Sequence, residues 1–452
     1  MSDRLRALTQ EWGTHAAVDL YLDRCQVDTP DWVVQAVWRL AHERRRRVST
    51  VIDFGAGDGR FARWGTYDQY IGYEIDPARL QTVVLPPKAI LEHRCAFSNL
   101  ITDADMCVGN PPYVRNQDLP RGWREQATTL IAERTGVKIS GLANAWQYFA
   151  FLALSTTRPD GLVALVIPYE WVSRPSVRAL RRFIYDNGWD VDVYRLRDKA
   201  FTRVLTTSSI TLIDKQGKRS AWRYFEQDEG QTFRRLKTPS GGTEGVIEYR
   251  RNTSDTSSAI FVRRGLSPGT QKVLTLTEGE RVRHGLKIGS DVVPCITSLR
   301  QLGAEIKSLT ETRFQKYYRN AGAKCWLIRT DAPPSNRLNA YLNDIPEKDT
   351  HTSTCHSRDI WWNFVMPSPP AVLVATGFRG LRPKIAQNAA GVVAVGAVAG
   401  VYGLSSKSAR HVVRNLSLIN LTDRIVSHSK GFRKVEIGQL ETLIHQALAS
   451  TE

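Results

Sequence analysis

Short apolar runs alternate with helix-forming stretches through the first half of this 452-residue chain. The runs typical of strands are VSTVIDFG, YIGYEID, DMCVGN, GLVALVIP, VDVYRL and SSITLI. Helical segments such as DWVVQAVWRLAHERRR and NAWQYFAFLALSTT lie between several of them. Strands that alternate with helices favour a mostly parallel sheet covered by helices on both faces. The sequence therefore predicts an α/β domain over residues 1–240.

A Gly-rich polar segment, TPSGGTEG (238–245), separates this half from a region of different composition. Short, irregular patterns with many polar and basic side chains follow it, and we expect a second, mixed α+β domain over residues 246–452. The net charge of the chain is +17, and residues from 246 onward contain 28 Lys and Arg against 16 Asp and Glu. A protein this basic usually binds a polyanion, so we expect the second domain to contact one.

The composition favours a cytoplasmic protein without a membrane span. The longest nearly apolar run, residues 389–404, is too short and too Gly-rich for a span and is more typical of buried strands with tight turns. The N-terminal stretch MSDRLRALTQEWG lacks the apolar core of a signal peptide. His351, Cys355 and His356, even with Cys325 upstream, fit no common zinc spacing. A polar loop is therefore favoured there, and no metal is expected.

The stretch VIDFGAGDGRFA (51–62) predicts a strand, a Gly-rich turn and the start of a helix. Gly55 and Gly57 allow a tight turn and a close approach of the backbone to a ligand, which is typical of a nucleotide-type cofactor site. Asp53, at the end of the strand, would be unfavourable beside the phosphates of NAD but would suit the ammonium group of methionine. The turn also lacks the GxGxxG spacing of a dinucleotide site, so S-adenosyl-L-methionine is the favoured cofactor.

Glu74 ends the next predicted strand, 21 residues after Asp53. An acid in this position can accept hydrogen bonds from both hydroxyls of a ribose. The alternative is that Glu74 caps a helix starting near Pro77, but Asp76 fits the capping position better. Ribose binding is therefore the predicted role of Glu74.

Another strand-like run, residues 106–109, ends abruptly at Asn110-Pro111-Pro112-Tyr113. Proline cannot donate a hydrogen bond to a β-ladder, so the two prolines end the strand. They do not explain the amide and the aromatic ring that flank them. The segment is therefore a candidate for chemistry rather than a simple turn.

The order of the motifs resembles that of the amino-methyltransferases of DNA, and within them the γ class with its TaqI-like N6-adenine enzymes of restriction-modification systems. The cofactor motifs precede NPPY without a large insertion, and a sizeable basic region follows the last motif. Related cytosine-N4 enzymes typically have Ser where Asn110 stands, so adenine is favoured. The resemblance implies a Rossmann-like catalytic domain and a DNA target-recognition domain. The motifs that carry it, over about residues 25–215, are VDTP (27–30), DFGAGDG (53–59), YEID (73–76), CAF (95–97), NPPY (110–113), VIPYEW (166–171) and AFTRVLTTSSITLI (200–213).

The resemblance implies direct methyl transfer, with neither a covalent intermediate nor a metal. The side-chain oxygen of Asn110 and the carbonyl of Pro111 would accept the two N–H bonds of adenine N6 and localise its lone pair for attack. Pro112 keeps this unit rigid, and Tyr113 offers a face on which the extruded adenine stacks. Phe201 is implied as a second aromatic contact, with a core Phe before a strand as the alternative.

The resemblance also assigns the cofactor positions. It implies Thr29 and Pro30 for the methionine end, Asp53, Gly55, Ala56 and Gly57 for the turn, Glu74 for the ribose, and Ile75 and Phe97 on either side of the adenine ring. The chain departs from the family at Ala96, where relatives usually have an Asp that receives the amino group of the cofactor's adenine. Either that contact is lost, or Ser98 or Asn99 supplies it.

Double-stranded DNA is the implied partner, with the second domain holding most of the phosphate contacts. Within that domain we expect Lys430, Arg433 and Lys434 to contact phosphates. Phe432 is the candidate for the gap left by the extruded base, with a packed aromatic before the final helix as the alternative. Base-reading residues are expected among residues 251–258, 310–322 and 376–384. The protein is expected to be a monomer, and the resemblance allows a separate cognate restriction endonuclease that acts on the same site.

Other functions stay open at this point. An RNA base or a protein glutamine is an alternative methyl acceptor, although the glutamine enzymes, which share NPPY, lack a large basic C-terminal domain. A non-catalytic DNA-binding protein with a relic methyltransferase fold is the second alternative. The intact Asn110, Pro111, Tyr113, Asp53 and Glu74 argue against it.

Overall fold

The computed structural model describes most of the chain, in two compact units. The described residues are 27–81, 83–98, 102–197, 200–201, 207–236, 260–350, 352–422, 424–425, 427–429 and 432–449. Those of the first unit lie within 27–236 and 427–429, and those of the second within 260–425 and 432–449.

A nine-stranded sheet forms the centre of the first unit, in the order β3-β2-β1-β4-β5-β7-β6-β8-β9. The strands from β3 through β5 are parallel to one another. Strand β7 is inserted antiparallel between β5 and β6, and β9 is antiparallel to β8. This mostly parallel sheet confirms the predicted fold class. The strands are β1 (Thr50–Phe54), β2 (Gln69–Glu74), β3 (Ala89–His93), β4 (Ala104–Gly109), β5 (Thr157–Pro168), β6 (Asp190–Arg195), β7 (Ser208–Asp214), β8 (Trp222–Gln227) and β9 (Phe233–Leu236).

Helices supply apolar cores on both faces of this sheet. Successive residues of β4 show the two faces, because Met106 and Val108 belong to one buried cluster and Cys107 to another. Burial on both faces explains why the central strands are continuous apolar runs. The first cluster includes residues of α1, and the second includes residues of α3, α4 and α5. The helices of this unit are α1 (Asp31–Arg44), α2 (Arg60–Trp64), α3 (Arg121–Thr135), α4 (Ala145–Thr156) and α5 (Arg178–Asp186).

Short 3-10 turns connect several of these elements in the first unit. They are Pro77–Leu80, Ala96–Ser98, Asn116–Asp118, Tyr169–Val172 and Pro175–Val177. The chain turns in opposite directions from the adjacent strands β1 and β4, since β2 and β3 lie on one side and β5 on the other. In open α/β sheets this point, at the carboxyl ends of the strands, is where ligands bind.

The second unit has the mixed α+β character that the sequence predicts. Its two larger sheets have the orders β10-β19-β15-β17-β13 and β11-β14-β12-β18, and β16 pairs antiparallel with β21. Its strands are β10 (Phe261–Arg263), β11 (Thr275–Leu276), β12 (Val292–Ile296), β13 (Ser308–Leu309), β14 (Trp326–Ile328), β15 (Val372–Ala375), β16 (Gly377–Phe378), β17 (Ile385–Asn388), β18 (Val393–Ala394), β19 (Val398–Tyr402) and β21 (Phe432–Lys434), while β20 (Ser427–Ser429) belongs to the first unit.

The helices of the second unit are short except for the last two. They are α6 (Gln271–Leu274), α7 (Glu278–Arg283), α8 (Glu311–Phe314), α9 (Asn336–Asn343), α10 (Ser353–His356), α11 (Ser406–Leu416) and α12 (Ile437–Ala449), with a π-helical turn at Gln315–Arg319 and a 3-10 turn at Glu347–Asp349. Residues 389–404 form β18, β19 and tight glycine turns, as predicted. Among the described residues, no helix has the length and apolar character needed to cross a membrane.

Candidate active site

A pocket lies at the carboxyl ends of β1, β2 and β4, with about 1040 Å³ of empty space including its open mouth. The residues around it come from the segment before α1, from β2, from the loops that follow β1 to β4, and from α2, α3 and α4. The predicted site residues that line it are Thr29, Gly55, Ala56, Gly57, Glu74, Ile75, Phe97, Asn110 and Pro112. The topology thus brings together motifs that are more than 80 residues apart in the sequence.

The Gly-rich turn is held in shape by Glu74. One carboxylate oxygen of Glu74 accepts the backbone N–H of Gly57 at 2.8 Å, and the other accepts that of Asp76 at 2.9 Å. Gly57 has φ +58°, a left-handed backbone conformation that favours glycine, and a β-carbon there would lie 3.0 Å from Nη1 of Arg79. Burial raises the pKa of Glu74, and the two backbone hydrogen bonds counteract this rise. Each carboxylate oxygen retains a second lone pair for a ligand.

Asp76 takes the capping role that the sequence assigned to it in preference to Glu74. Its Oδ1 accepts the backbone N–H of Ala78 at 3.0 Å, at the start of the 3-10 turn Pro77–Leu80. The capping alternative for Glu74 is therefore wrong.

Asp53 lies behind the wall of the pocket. The carboxyl group is fully buried, and Oδ2 accepts the hydroxyl of Tyr70 at 2.6 Å. Oδ1 has no hydrogen-bond partner among the described residues, and a β-carbon at Gly109 would collide with it. Burial raises the pKa of Asp53 to about 7, although the Tyr70 hydrogen bond lowers it. A contact between Asp53 and a methionine ammonium group stays a prediction.

Asn110 presents a free acceptor at the edge of the pocket. Its Nδ2 donates to Oγ1 of Thr29 at 3.1 Å and, at 3.5 Å, to the carbonyl of Val27. These acceptors orient the amide, so Oδ1 must face away from them. Oδ1 is buried and has no hydrogen-bond partner among the described residues. A buried, unpaired acceptor is costly, which makes Oδ1 a strong candidate for binding a donor from a substrate.

The rest of the NPPY segment is anchored to the sheet. The hydroxyl of Tyr113 donates to the carbonyl of Val166 at 3.0 Å and lies 3.5 Å from Oγ of Ser208. Burial raises the pKa of this hydroxyl far above its usual value, so it stays protonated. Pro111 is buried and Pro112 lines the pocket. The tyrosine therefore fixes one end of a rigid segment whose other end carries the free oxygen of Asn110.

An aromatic group closes one side of the pocket. Phe97 makes edge-to-face contacts with Trp123 of α3 and Phe149 of α4, with ring centroids 5.0 Å apart in each case. Both of these partners line the pocket, and neither was predicted from the sequence. The hydroxyl of Ser98 donates to the carbonyl of Cys95 at 2.7 Å, so its donor is already used within its own turn. Asn99, the other proposed substitute for the missing acid at Ala96, lies outside the described residues.

A charged network supports the Thr29 side of the pocket and was also missed. Arg60 donates to the carbonyl of Thr29 at 2.5 Å and donates two hydrogen bonds of 2.8 Å to the carboxylate of Asp58. Partial burial raises the pKa of Asp58, but hydrogen bonds from Arg60 and Arg63 outweigh it and hold that pKa at about 2. These arginines are not distinguishable by sequence from ordinary surface charges, because α2 reaches Thr29 only in the folded chain.

The structure places the remaining predicted residues in other surroundings. Phe201 is only 5% exposed and lies in the hydrophobic cluster of α1, away from the pocket lining, as the core alternative requires. Phe432 packs its ring on Gly377, as the packed-aromatic alternative requires. Arg433 donates to the carbonyl of Thr422 at 3.2 Å, and Lys434 lies 3.4 Å from Glu436. Lys430 lies outside the described residues, and the predicted DNA contacts of this segment stay predictions.

Comparisons with known proteins agree with this geometry. Residues 89–200 match the family model of the Eco57I restriction-modification methylase. The chain is 24% identical over 291 residues to the type II methyltransferase M.XamI of Xanthomonas campestris pv. amaranthicola, which covers 59% of this chain and 52% of that protein. The chain therefore spans about half the length of this curated relative.

One solved structure reaches a TM-score of 0.50, which shows a likeness in fold, and a second is reported beside it. A nuclease-deletion mutant of the type ISP restriction-modification enzyme LlaGI, in complex with a DNA substrate mimic, has a TM-score of 0.50 at 11% identity, covering 87% of this chain and 51% of that one. The methyltransferase subunit of a type I restriction-modification system from Streptococcus thermophilus has a TM-score of 0.38 at 16% identity, covering 47% of this chain and 50% of that one. These comparisons agree with the resemblance inferred from the motifs: residues 89–200 are similar to the Eco57I restriction-modification methylase domain, and the chain is similar to a type II methyltransferase.

Proposed function

We propose that this protein transfers a methyl group from S-adenosylmethionine to N6 of an adenine extruded from duplex DNA. The observation that carries the proposal is the free oxygen of Asn110, a buried acceptor whose direction is fixed by Thr29 and Val27. The methylase family of the domain supports the reaction class. The proposed role is the protection of host DNA in a restriction-modification system, beside a separate endonuclease of the same specificity.

The residues of the pocket fit S-adenosylmethionine. The side-chain-free turn at Gly57 allows close approach of a ligand, and the spare lone pairs of Glu74 suit two ribose hydroxyls. Ile75, Phe97 and Thr29 all line the pocket; the first two are proposed to offer apolar surface to the adenine ring, and Thr29 is proposed to hold the methionine end. When bound, S-adenosylmethionine supplies an electrophilic methyl group on its sulfonium.

The chemistry of the chain itself lies in its acceptors. Asn110 Oδ1 accepts one N–H of adenine N6, and the carbonyl of Pro111 accepts the other. Both oxygens stabilise the positive charge that develops on nitrogen during attack, and they do so in fixed positions because the segment is anchored through Tyr113. The ring of Tyr113 provides the stacking surface for the extruded base.

Duplex DNA is the proposed substrate because the second unit carries most of the excess positive charge. The proposal is tested by single-molecule sequencing of DNA from cells with and without the gene. N6-methyladenine at one short sequence, present only with the gene, is the expected result. Methylation confined to RNA or protein would overturn the proposal.

Glu74 provides a test of the cofactor site. Replacing it by alanine removes a charged acceptor from the ribose and releases the N–H of Gly57, so S-adenosylmethionine should bind about 10- to 150-fold more weakly, equivalent to roughly 1.5–3 kcal/mol. Isothermal titration of Glu74→Ala and Glu74→Gln checks this, and the glutamine variant should lose less because it keeps one acceptor. Glu133→Ala, on the exposed face of α3, is the control and should bind like wild type. If Glu74→Ala binds S-adenosylmethionine as tightly as wild type, Glu74 has only a structural role.

A further inference from the structure

Helix α11 of the second unit has two faces of opposite character. Its buried residues Ala409, Val412, Val413 and Leu416 pack into a hydrophobic cluster shared with α12. Lys407, Arg410 and Arg414 lie on the other side of the helix and are exposed. Their spacing of three and four residues places them in one row along the helix. We call these three residues the α11 stripe.

The α11 stripe has no polar partner in the part of the chain that the structure describes. None of its three side chains makes a hydrogen bond or ion pair with the described residues, whereas Arg433 and Lys434 both have protein partners. Neighbouring like charges at these spacings destabilise a helix. Such a row is therefore unfavourable to the free protein and becomes favourable when a polyanion binds it.

The sequence around the α11 stripe lacks the acidic residues that would normally balance its positive charge. Residues 360–422 contain six Lys and Arg and not one Asp or Glu. Solvated helices usually interleave both signs of charge. A stretch of this length without acidic residues indicates a surface that binds a negatively charged partner.

A loop bonded to the segment after α11 carries two more exposed cations. Arg379 and Arg382 are exposed in the loop between β16 and β17. The carbonyl of Leu381, between them, accepts the backbone N–H of Leu421 at 2.8 Å, which ties the loop to the segment that follows α11. The two arginines and the stripe thus belong to connected elements of one unit.

We propose that the α11 stripe binds the phosphate backbone of duplex DNA. The proposal rests on the proposed function and names the element of the second unit that holds the DNA. Lys407 and Arg414 are seven residues apart, which is about 10 Å along a helix. This length is close to the width of the major groove, about 12 Å, so long side chains at both ends can reach phosphates on either side of it. The stripe should provide affinity for DNA of any base sequence, because phosphate contacts do not distinguish one base from another.

The test compares two triple variants of the full chain that remove the same charge. Lys407→Gln, Arg410→Gln and Arg414→Gln together remove the stripe, and glutamine keeps the helix because its helix propensity is high. Arg283→Gln, Lys287→Gln and Lys348→Gln together are the control, because these residues are also exposed cations of the second unit. Binding to fluorescent random-sequence duplexes of DNA and of RNA is measured by anisotropy over a salt series. S-adenosylmethionine affinity and melting temperature verify that both variants are folded.

The stripe variant should bind duplex DNA at least tenfold more weakly at low salt. Its slope of log K against log salt should be shallower by about 2.7, since each phosphate contact contributes roughly 0.9. The control variant should stay close to wild type in both its affinity for duplex DNA and its salt slope. A folded stripe variant with wild-type affinity and slope, or an equal fall in the control, would overturn the inference alone. A wild-type protein without affinity for duplex DNA would overturn the proposed function as well, and a loss seen only with an RNA duplex would overturn the choice of DNA.

Discussion

Replacing Asn110 by alanine is expected to lower the rate of methyl transfer at least 100-fold and to leave the affinity for S-adenosylmethionine within a few-fold of wild type. Loss of one preorganised polar group that acts on the transition state typically costs roughly 100- to 1000-fold in rate. Asn110 Oδ1 is buried without a hydrogen-bond partner among the described residues, and Nδ2 makes the hydrogen bonds that hold the amide. Single-turnover kinetics on DNA, together with calorimetric titration of the cofactor, measure the two effects separately.

A matched variant distinguishes loss of the acceptor from loss of its orientation. Thr29→Val removes the hydroxyl that holds Nδ2 of Asn110 and leaves Oδ1 in place. Its rate should fall less than that of Asn110→Ala. If Asn110→Ala keeps more than a tenth of the wild-type rate, NPPY is not the catalytic segment.

Asp53 is expected to make the stability of the first unit strongly dependent on pH. The pKa of this carboxyl is about 7 in the folded protein against an ordinary value of 3.8, because burial disfavours its charged form. A raised folded-state pKa stabilises the protein below the ordinary pKa, and this contribution is lost as pH rises toward the folded pKa. Each pH unit in this window removes about 1.4 kcal/mol, so roughly 4 kcal/mol is lost between about pH 4 and pH 7.

Asp53→Asn isolates this effect, because asparagine has the same shape and does not titrate. The unfolding free energies of wild type and Asp53→Asn are measured by urea unfolding between pH 4.5 and 8. The difference between the two proteins should change by about 1.4 kcal/mol per pH unit below pH 7 and should level off above pH 7. Tyr70→Phe removes the hydrogen bond that lowers the pKa of Asp53, so the pH range over which stability is lost should extend to higher pH. Parallel pH profiles for wild type and Asp53→Asn would show that Asp53 is ionised in the folded state.

The predictable part of the site is its contiguous motifs. Glu74 ends a recognisable strand, and Gly57 and Asn110 each follow one; the carboxyl ends of parallel strands must meet at one edge of the sheet. Trp123 and Phe149 lie on helices whose apolar residues look like ordinary core. Their place beside Phe97 depends on how α3 and α4 pack, which no local pattern records.

Strand geometry also limits what the sequence predicts. The sequence predicts Asp53 beside the methionine ammonium group; in the structure its carboxyl accepts the hydroxyl of Tyr70, and the contact with the ligand stays a prediction. The antiparallel insertion of β7 between β5 and β6 was not predicted either, because pairing partners are set by the whole sheet. Phe432 and Lys434 are predicted to contact DNA because they lie with Lys430 and Arg433 in one short segment beside Gly431. The structure gives both of them contacts within the second unit, and their contacts with DNA stay predictions.

The central claim is tested most directly by analysis of the nucleosides in DNA methylated by the purified chain. Unmethylated plasmid is incubated with the protein and S-adenosylmethionine, digested to nucleosides and examined by mass spectrometry, with Asn110→Ala as the matched control. The account predicts N6-methyl-2′-deoxyadenosine with wild type and a loss of that signal with the variant. N4-methyl-2′-deoxycytidine in its place, or equal methylation by Asn110→Ala, would contradict it.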